Sequence, residues 1–193
     1  MIAIADLDLP TTFTFAEAAD HGVSRRRLQH LQATGAVERI ARGLYRRADE
    51  IPVDHDLIEI AARAHQPTLC LLSALAQHEL TDVIPPVHDI AIPRGVWQPV
   101  VSAPVHWHKF DPATFEVGRT EIQLDSTYAL GLFDAPRSII DAFRLRRAVG
   151  PEIANEALRR WLRRGGKPAD LMRLAKVFPA AQAALLHSLQ VLL

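Results

Sequence analysis

Thr14-Phe15-Ala16-Glu17-Ala18-Ala19-Asp20-His21-Gly22-Val23-Ser24-Arg25-Arg26-Arg27-Leu28-Gln29-His30-Leu31-Gln32-Ala33 carries the local signals from which the first part of this chain takes its architecture. Thr14 and Glu17 have the spacing of a capping box, in which hydroxyl and carboxylate satisfy each other's free backbone donors, so a helix is predicted over 15–21. Gly22 tolerates the positive φ that closes such a helix, Val23 supplies an apolar plug, and Ser24 caps a second helix over 25–33 that ends before Gly35. Two short helices joined through a tight Gly-containing turn make a helix-turn-helix pattern.

On the C-terminal side, Val37 to Arg46 reads as two short strands rich in β-formers, with Arg42-Gly43 at the turn. A hairpin in that place is a wing. Asp49-Glu50-Ile51-Pro52 then breaks the pattern, which sets the expected boundary near residue 52, between a first domain over 1–52 and a second over 53–193. On the N-terminal side, residues 1–13 are short and contain Pro10, a departure from winged domains that begin with an additional helix.

Beyond residue 52 the pattern is mixed. Helical apolar spacing is predicted over 54–65, from a polar start at Asp54-His55-Asp56, and over 68–80, until Pro85-Pro86. Strands are predicted over 87–93 and 105–110, and a hairpin from 114–117 and 121–124 around Gly118-Arg119. Helices are expected over 137–147, 151–164, 168–177 and 179–191, punctuated by Gly150-Pro151, Gly165-Gly166, Pro168 and Pro179. The fold class expected is α+β: an N-terminal winged helix-turn-helix, then a mixed α/β domain with a helical C-terminus.

The chain has 193 residues with 22 basic and 22 acidic side chains, but this neutrality is a cancellation between segments. Residues 21–47 hold seven arginines against Glu38 alone, a net +6, residues 48–136 carry −9, and residues 137–176 carry +7. On a helix starting at Arg25, the 100° rotation per residue turns Leu28 and Leu31 inward and Arg26, Gln29, His30 and Ala33 outward, with Arg25 and Arg27 flanking them. Arg and Gln can read guanine and adenine edges bidentately, and the wing arginines Arg42, Arg46 and Arg47 are candidates for phosphate or minor-groove contact. The DNA-binding residues expected are therefore Arg25, Arg26, Arg27, Gln29, His30, Arg42, Arg46 and Arg47.

Other patterns weigh less. His106-Trp107-His108 puts two imidazoles on one strand face, where Asp111 or Asp89 could complete a metal site, but without a fixed third ligand the reading is an exposed strand face and no metal or other cofactor is expected. Ser73 and Cys70 lie in an apolar helical stretch, where a serine commonly bonds back to a carbonyl and a lone cysteine is a core thiol. No Gly-rich phosphate loop, HExxH, GxSxG or paired-cysteine motif occurs, so no enzymatic activity is assigned; a metal-dependent hydrolase built on the HxH segment is the weakest of the function classes. No membrane span or secretory signal is legible, and a lone cysteine forms no internal disulfide, which places the expected location in the cytoplasm.

Thr14 to Arg47, with Gly22-Val23-Ser24-Arg25 leading the second helix and Arg42-Gly43-Leu44-Tyr45 in the wing, resembles the N-terminal domain of AbiEi-type antitoxins. Leu72-Ser73-Ala74-Leu75, His78 to Asp82, Ile90 to Gly95 and Ser138 to Arg144 resemble that family's second domain, so the likeness spans about residues 14–147. The resemblance implies an antitoxin that represses its own promoter and counteracts a partner toxin of nucleotidyltransferase type. For a partner surface, Trp161 flanked by Arg159, Arg160, Arg163 and Arg164 offers an aromatic anchor among cations. The alternative is a solitary winged-helix regulator whose second domain senses a ligand or mediates assembly.

Overall fold

A computed structural model describes residues 8–192, and its residue contacts divide the chain into two units. The first is built on strand β1 (Thr12–Thr14), helices α1 (Phe15–Asp20) and α2 (Arg25–Ala33), and strands β2 (Val37–Ala41) and β3 (Leu44–Arg47). The caps form as expected. The Thr14 N–H donates to Glu17 Oε2 at 2.6 Å, the Glu17 N–H donates back to Thr14 Oγ1 at 3.3 Å, and Ser24 Oγ accepts the Arg27 N–H at 3.2 Å. Gly22 closes α1 and Gly43 turns the wing, each at φ +76°, in the left-handed region that other residues enter at a cost.

The three strands run in the order β1-β3-β2, all antiparallel, with Phe13 opposite Tyr45 and Val37 opposite Arg47. Leu9, Phe13, Ala18, Val23, Leu28, Leu31 and Val37 form the core of this winged helix-turn-helix. Immediately before α1 lies a strand, held on one side by β3 and on the other by Thr12 Oγ1 donating to Asp125 Oδ2 at 2.5 Å and Thr11 Oγ1 lying 2.6 Å from Ser126 Oγ. The rest of the expectation for residues 1–13 lies, over residues 1–7, outside the described residues.

The first unit does not stop at residue 52. It continues to Ala64 and takes in Pro99–Ala103 and Ile122–Leu130. Helix α3 (His55–Arg63), capped by Asp54 Oδ1, buries Ile58 against Ala41 and Leu44, with Leu124 and Tyr128 packed on the same cluster. Buried Glu59 accepts the Ser102 and Ala103 N–H groups at 2.8 and 3.0 Å. The unit is therefore discontinuous in sequence.

The second unit contains β4 (Thr68–Leu69), α4 (Leu71–Gln77), β5 (His88–Pro93), β6 (Val105–Phe110) and α5 (Pro112–Phe115). Strands β7 (Arg119–Gln123) and β8 (Ala129–Phe133) complete a sheet of order β6-β5-β4-β8-β7, in which β5 and β6 are parallel. Helices α6 (Ala135–Arg144), α7 (Arg146–Val149), α8 (Pro151–Arg163), α9 (Pro168–Ala175) and α10 (Pro179–Leu192) follow as the helical C-terminus. The expected hairpin around Gly118 is corrected. Residues 112–115 are a helical turn, because Asp111 caps it by accepting the Ala113 N–H and Pro112 is pre-set for the first helical position, so β7 pairs with β8 instead. The expected helix over 68–80 is also shortened, since Thr68 and Leu69 pair with β5 and β8.

The centre of this unit holds a buried charge network. Arg137 is 0% exposed, its Nε 2.9 Å from Asp141 Oδ2, its Nη1 donating to the Thr114 and Val117 carbonyls at 2.8 and 2.6 Å. Its guanidinium carbon lies 4.2 Å from the Phe178 ring centroid and 4.4 Å from that of Phe133. Arg144 Nη2 approaches the other Asp141 oxygen at 2.9 Å. Burial pushes the Asp141 carboxyl up and the Arg137 guanidinium down from their ordinary values, against the attraction between them. Cys70 is fully buried and its thiol is pushed well up by that burial, as a core thiol is. No described helix is long and apolar enough to cross a membrane.

Removing one member of the buried pair strands the other charge, so Asp141→Ala is expected to lose about 3–5 kcal/mol of stability in urea unfolding. A loss within the range of a surface substitution, about 0.5 kcal/mol, would show that the network is dispensable.

Candidate nucleic-acid interface

Helix α2 presents two faces. Leu28 and Leu31 are buried, and Arg25, Arg26, Gln29, His30 and Ala33 are exposed, which is the division that 100° per residue imposes on this sequence. Arg27 is half-buried and its backbone N–H serves the Ser24 cap, so it sits at the edge of the outward face. On the edge nearest the wing, the Arg25 guanidinium stacks over the Phe15 ring at 5.0 Å, a cation–π contact that holds the charge at the surface.

Between α2 and the wing runs a groove of about 410 Å³ lined by Phe15, Arg25, Gln29, Arg39, Gly43 and Tyr45. Arg39 was absent from the residues expected to touch DNA, yet it is exposed on β2 beside this groove, its Nε donating to the Ala41 carbonyl at 3.3 Å. The signal was present in sequence as part of the +6 segment. What concealed it was register: only the pairing of β2 with β3 decides which wing side chains turn toward α2.

The wing arginines divide. Arg42 is exposed at the turn, and its carbonyl accepts from Arg63 Nη2 at 2.7 Å, which braces the wing tip. Arg46, expected as a DNA contact, is instead buried, with 4% exposure and its Nη2 donating to the Ile51 carbonyl at 2.5 Å. In strand β3 successive side chains alternate faces, and Arg46 shares the inward face with buried Leu44. Arg47 is partly covered, forming a two-pronged pair with Asp49 at 2.8 and 3.1 Å. That pair holds its guanidinium above, and the Asp49 carboxyl below, the ordinary values.

The cluster expected to meet a partner protein is largely engaged within its own unit. Arg160 grips Asp82 with both guanidinium prongs and also pairs with Glu156, while Arg164 donates to the His78 and Glu79 carbonyls at 2.8 and 3.0 Å. Trp161 is half-buried against the helical core, and Gly166 lies so close that an added Cβ would sit 2.2 Å from the indole. Arg159, Arg163 and Arg164 are exposed, and of these Arg164 is the one engaged with its own unit. These contacts have a simple cause: a guanidinium on a helix docked in its own domain finds nearby carbonyls and carboxylates.

Residues 8–48 match the family described as transcriptional regulator, AbiEi antitoxin. The match covers β1, the helix-turn-helix and the wing, and stops before α3. No curated protein matches the chain. Among solved structures, the crystal structure of the RV2827C protein from Mycobacterium tuberculosis superposes over 94% of this chain and 76% of its own, with TM-score 0.52 and 14% sequence identity, a likeness of fold.

Two measurements separate surface charges from structural ones. Arg42→Ala should flatten the salt dependence of DNA binding by about one unit of log–log slope, as should Arg25→Ala, whereas Arg46→Ala should lower the melting temperature and leave that slope unchanged. Arg160 holds the Asp82 carboxyl below its ordinary value, so the pair's stabilisation is present above the unfolded carboxylate pKa and fades as pH falls through the lowered folded one. The stability difference between the native chain and Asp82→Asn should accordingly shrink with acidification; a constant difference would assign it to something other than charge.

Proposed function

We propose that the protein is an antitoxin-type transcriptional regulator that binds its own promoter DNA through α2 and the wing and counteracts a nucleotidyltransferase-like toxin. The observation that carries this reading is the outward face of α2. A solvated row of Arg26, Gln29 and His30, flanked by Arg25 and Arg27 and beside a wing with Arg39 and Arg42, has the width and donor pattern for a major groove and its phosphates. The family matched by residues 8–48 is regulatory, in keeping with a chain that carries no recognised catalytic motif. The place of action in this reading is the cytoplasm, where promoter DNA and the toxin are found.

A second reading, a solitary regulator with a ligand-sensing second unit, draws on one observation. That unit contains a cavity of about 200 Å³ with apolar walls from Leu71, Leu72, Val87 and Val149. A nucleotidyltransferase-like reading frame adjoining the gene separates the two, since a solitary regulator has none.

On promoter DNA, Arg26→Ala and Gln29→Ala should each cost about 1–3 kcal/mol at the cognate site and relax sequence preference there. Equal losses on random DNA would assign both residues to phosphates. A double variant carrying Arg26→Ala and Gln29→Ala, expressed from a foreign promoter together with the toxin, should still protect cells, because repression is removed from the comparison and the remaining surfaces are intact. Point variants suit this purpose better than truncation at residue 52, which would cut the discontinuous first unit. Death at the rate seen without antitoxin, with the variant folded and abundant, would refute the separation of the two activities.

A further inference from the structure

We infer that Asp89, His106 and His108 form a binding site for a divalent first-row transition-metal ion, Zn²⁺ foremost, with an open coordination position toward the apolar cavity of the second unit. Strands β5 and β6 are parallel neighbours, and their register sets Asp89 beside His106 and Ala91 beside His108. Because side chains alternate along a strand, His106 and His108 project from the same face of β6. Asp89 Oδ1 lies 2.8 Å from His108 Nε2 and 3.6 Å from His106 Nδ1, and the three ligand atoms all fall within 4.8 Å of one another. Metal–ligand bonds of about 2.0–2.1 Å in tetrahedral geometry put two ligand atoms about 3.3 Å apart, between those two distances. A shared ion would draw the two imidazoles and the carboxylate to that spacing.

The Asp89 backbone is also held in place from behind. Ser73 Oγ accepts the Asp89 N–H at 2.8 Å, and the Asp89 carbonyl accepts the Cys70 N–H at 3.0 Å. Asp89 and His108 keep 14% and 15% of their side chains exposed, whereas His106 keeps 66%. The inner two donors are thus shielded, and the third leaves an entry route from solvent. A hydrogen-bonded Asp89–His108 pair would explain two of the three residues. It gives no role to His106, whose ring centroid is 4.5 Å from that of His108.

The donor set suits the ion. Two neutral imidazoles and one carboxylate supply three ligands of one net negative charge, a borderline-soft set preferred by zinc-like ions over Mg²⁺ or Ca²⁺. All three residues line the cavity whose other walls are Leu71, Leu72, Pro86, Val87, Ala148 and Val149. Three protein ligands leave a fourth position for water or for the polar head of a small molecule whose apolar body occupies that space. Asp111, the other carboxylate within reach in sequence, is spent on capping α5. The inference stands independently of DNA binding by the first unit.

The test uses the metal-free full-length chain, titrated with Zn²⁺ in a calorimeter and with Co²⁺ as a spectroscopic probe. One Zn²⁺ per chain is expected, with visible Co²⁺ bands of the tetrahedral type and a rise in melting temperature on loading. His106→Ala removes an exposed ring and Asp89→Asn is isosteric; both should melt as the native chain does without metal, bind Zn²⁺ at least about tenfold more weakly, and lose the Co²⁺ bands. No Zn²⁺ uptake by the native chain, or uptake equally tight in His106→Ala, overturns the site and leaves a hydrogen-bonded Asp–His pair.

Discussion

Arg137 is a permanently charged group with no exposure to water, and the second unit is arranged around the cost of keeping it there. Desolvating a guanidinium costs several kcal/mol even after relaxation, and here Nε and Nη1 are answered locally while buried Nη2 has no hydrogen-bond partner. Asp141, one turn along α6, supplies the countercharge, and the Thr114 and Val117 carbonyls supply two more acceptors. Those carbonyls come from the end of α5 and the residues just after it, and the rings of Phe133 and Phe178 come from β8 and the loop before α10. One side chain thereby joins four segments of the unit. Arg144, on the far side of Asp141, extends the network toward Phe110 of β6.

In the winged unit the governing constraint is backbone pairing. Strand β1 occupies the third place in the sheet, and the N–H and hydroxyl of its Thr12 are met by the 125–127 turn, so the helix-turn-helix gains support from a strand and a distant loop. The same pairing sorts the wing arginines. β3 must turn Leu44 and Arg46 inward, and Arg46 then serves the chain after the wing by holding the Ile51 carbonyl. Basic residues in one short hairpin therefore have two occupations, and net charge alone does not tell them apart.

Much of the first unit could be read locally. The capping box, the Gly22 turn, the Ser24 cap and the two-faced spacing of α2 are each decided within about four residues, the range over which backbone hydrogen bonds of a helix close. The Arg42-Gly43 turn is equally local. The late helices were legible for the same reason, punctuated as they are by Gly150-Pro151, Gly165-Gly166 and the prolines that start α9 and α10. Less of the candidate interface was legible: the outward residues of α2 follow from periodicity, but Arg39 and Arg46 exchanged roles once the strands paired.

The helix-turn-helix and wing, the faces of α2, the uneven distribution of charge and the helical C-terminus all depend on near neighbours along the chain and can be read from them. The three-dimensional packing sets where the first unit ends, since Ile58, Glu59 and the 122–130 segment join it through contacts with residues far away in sequence. It alone committed Arg160 and Arg164 to their own fold and set Asp89 beside His106 and His108. Side-chain partners of that kind are chosen by strand register and helix docking, and the energy that selects them comes from long-range burial, which no local pattern encodes.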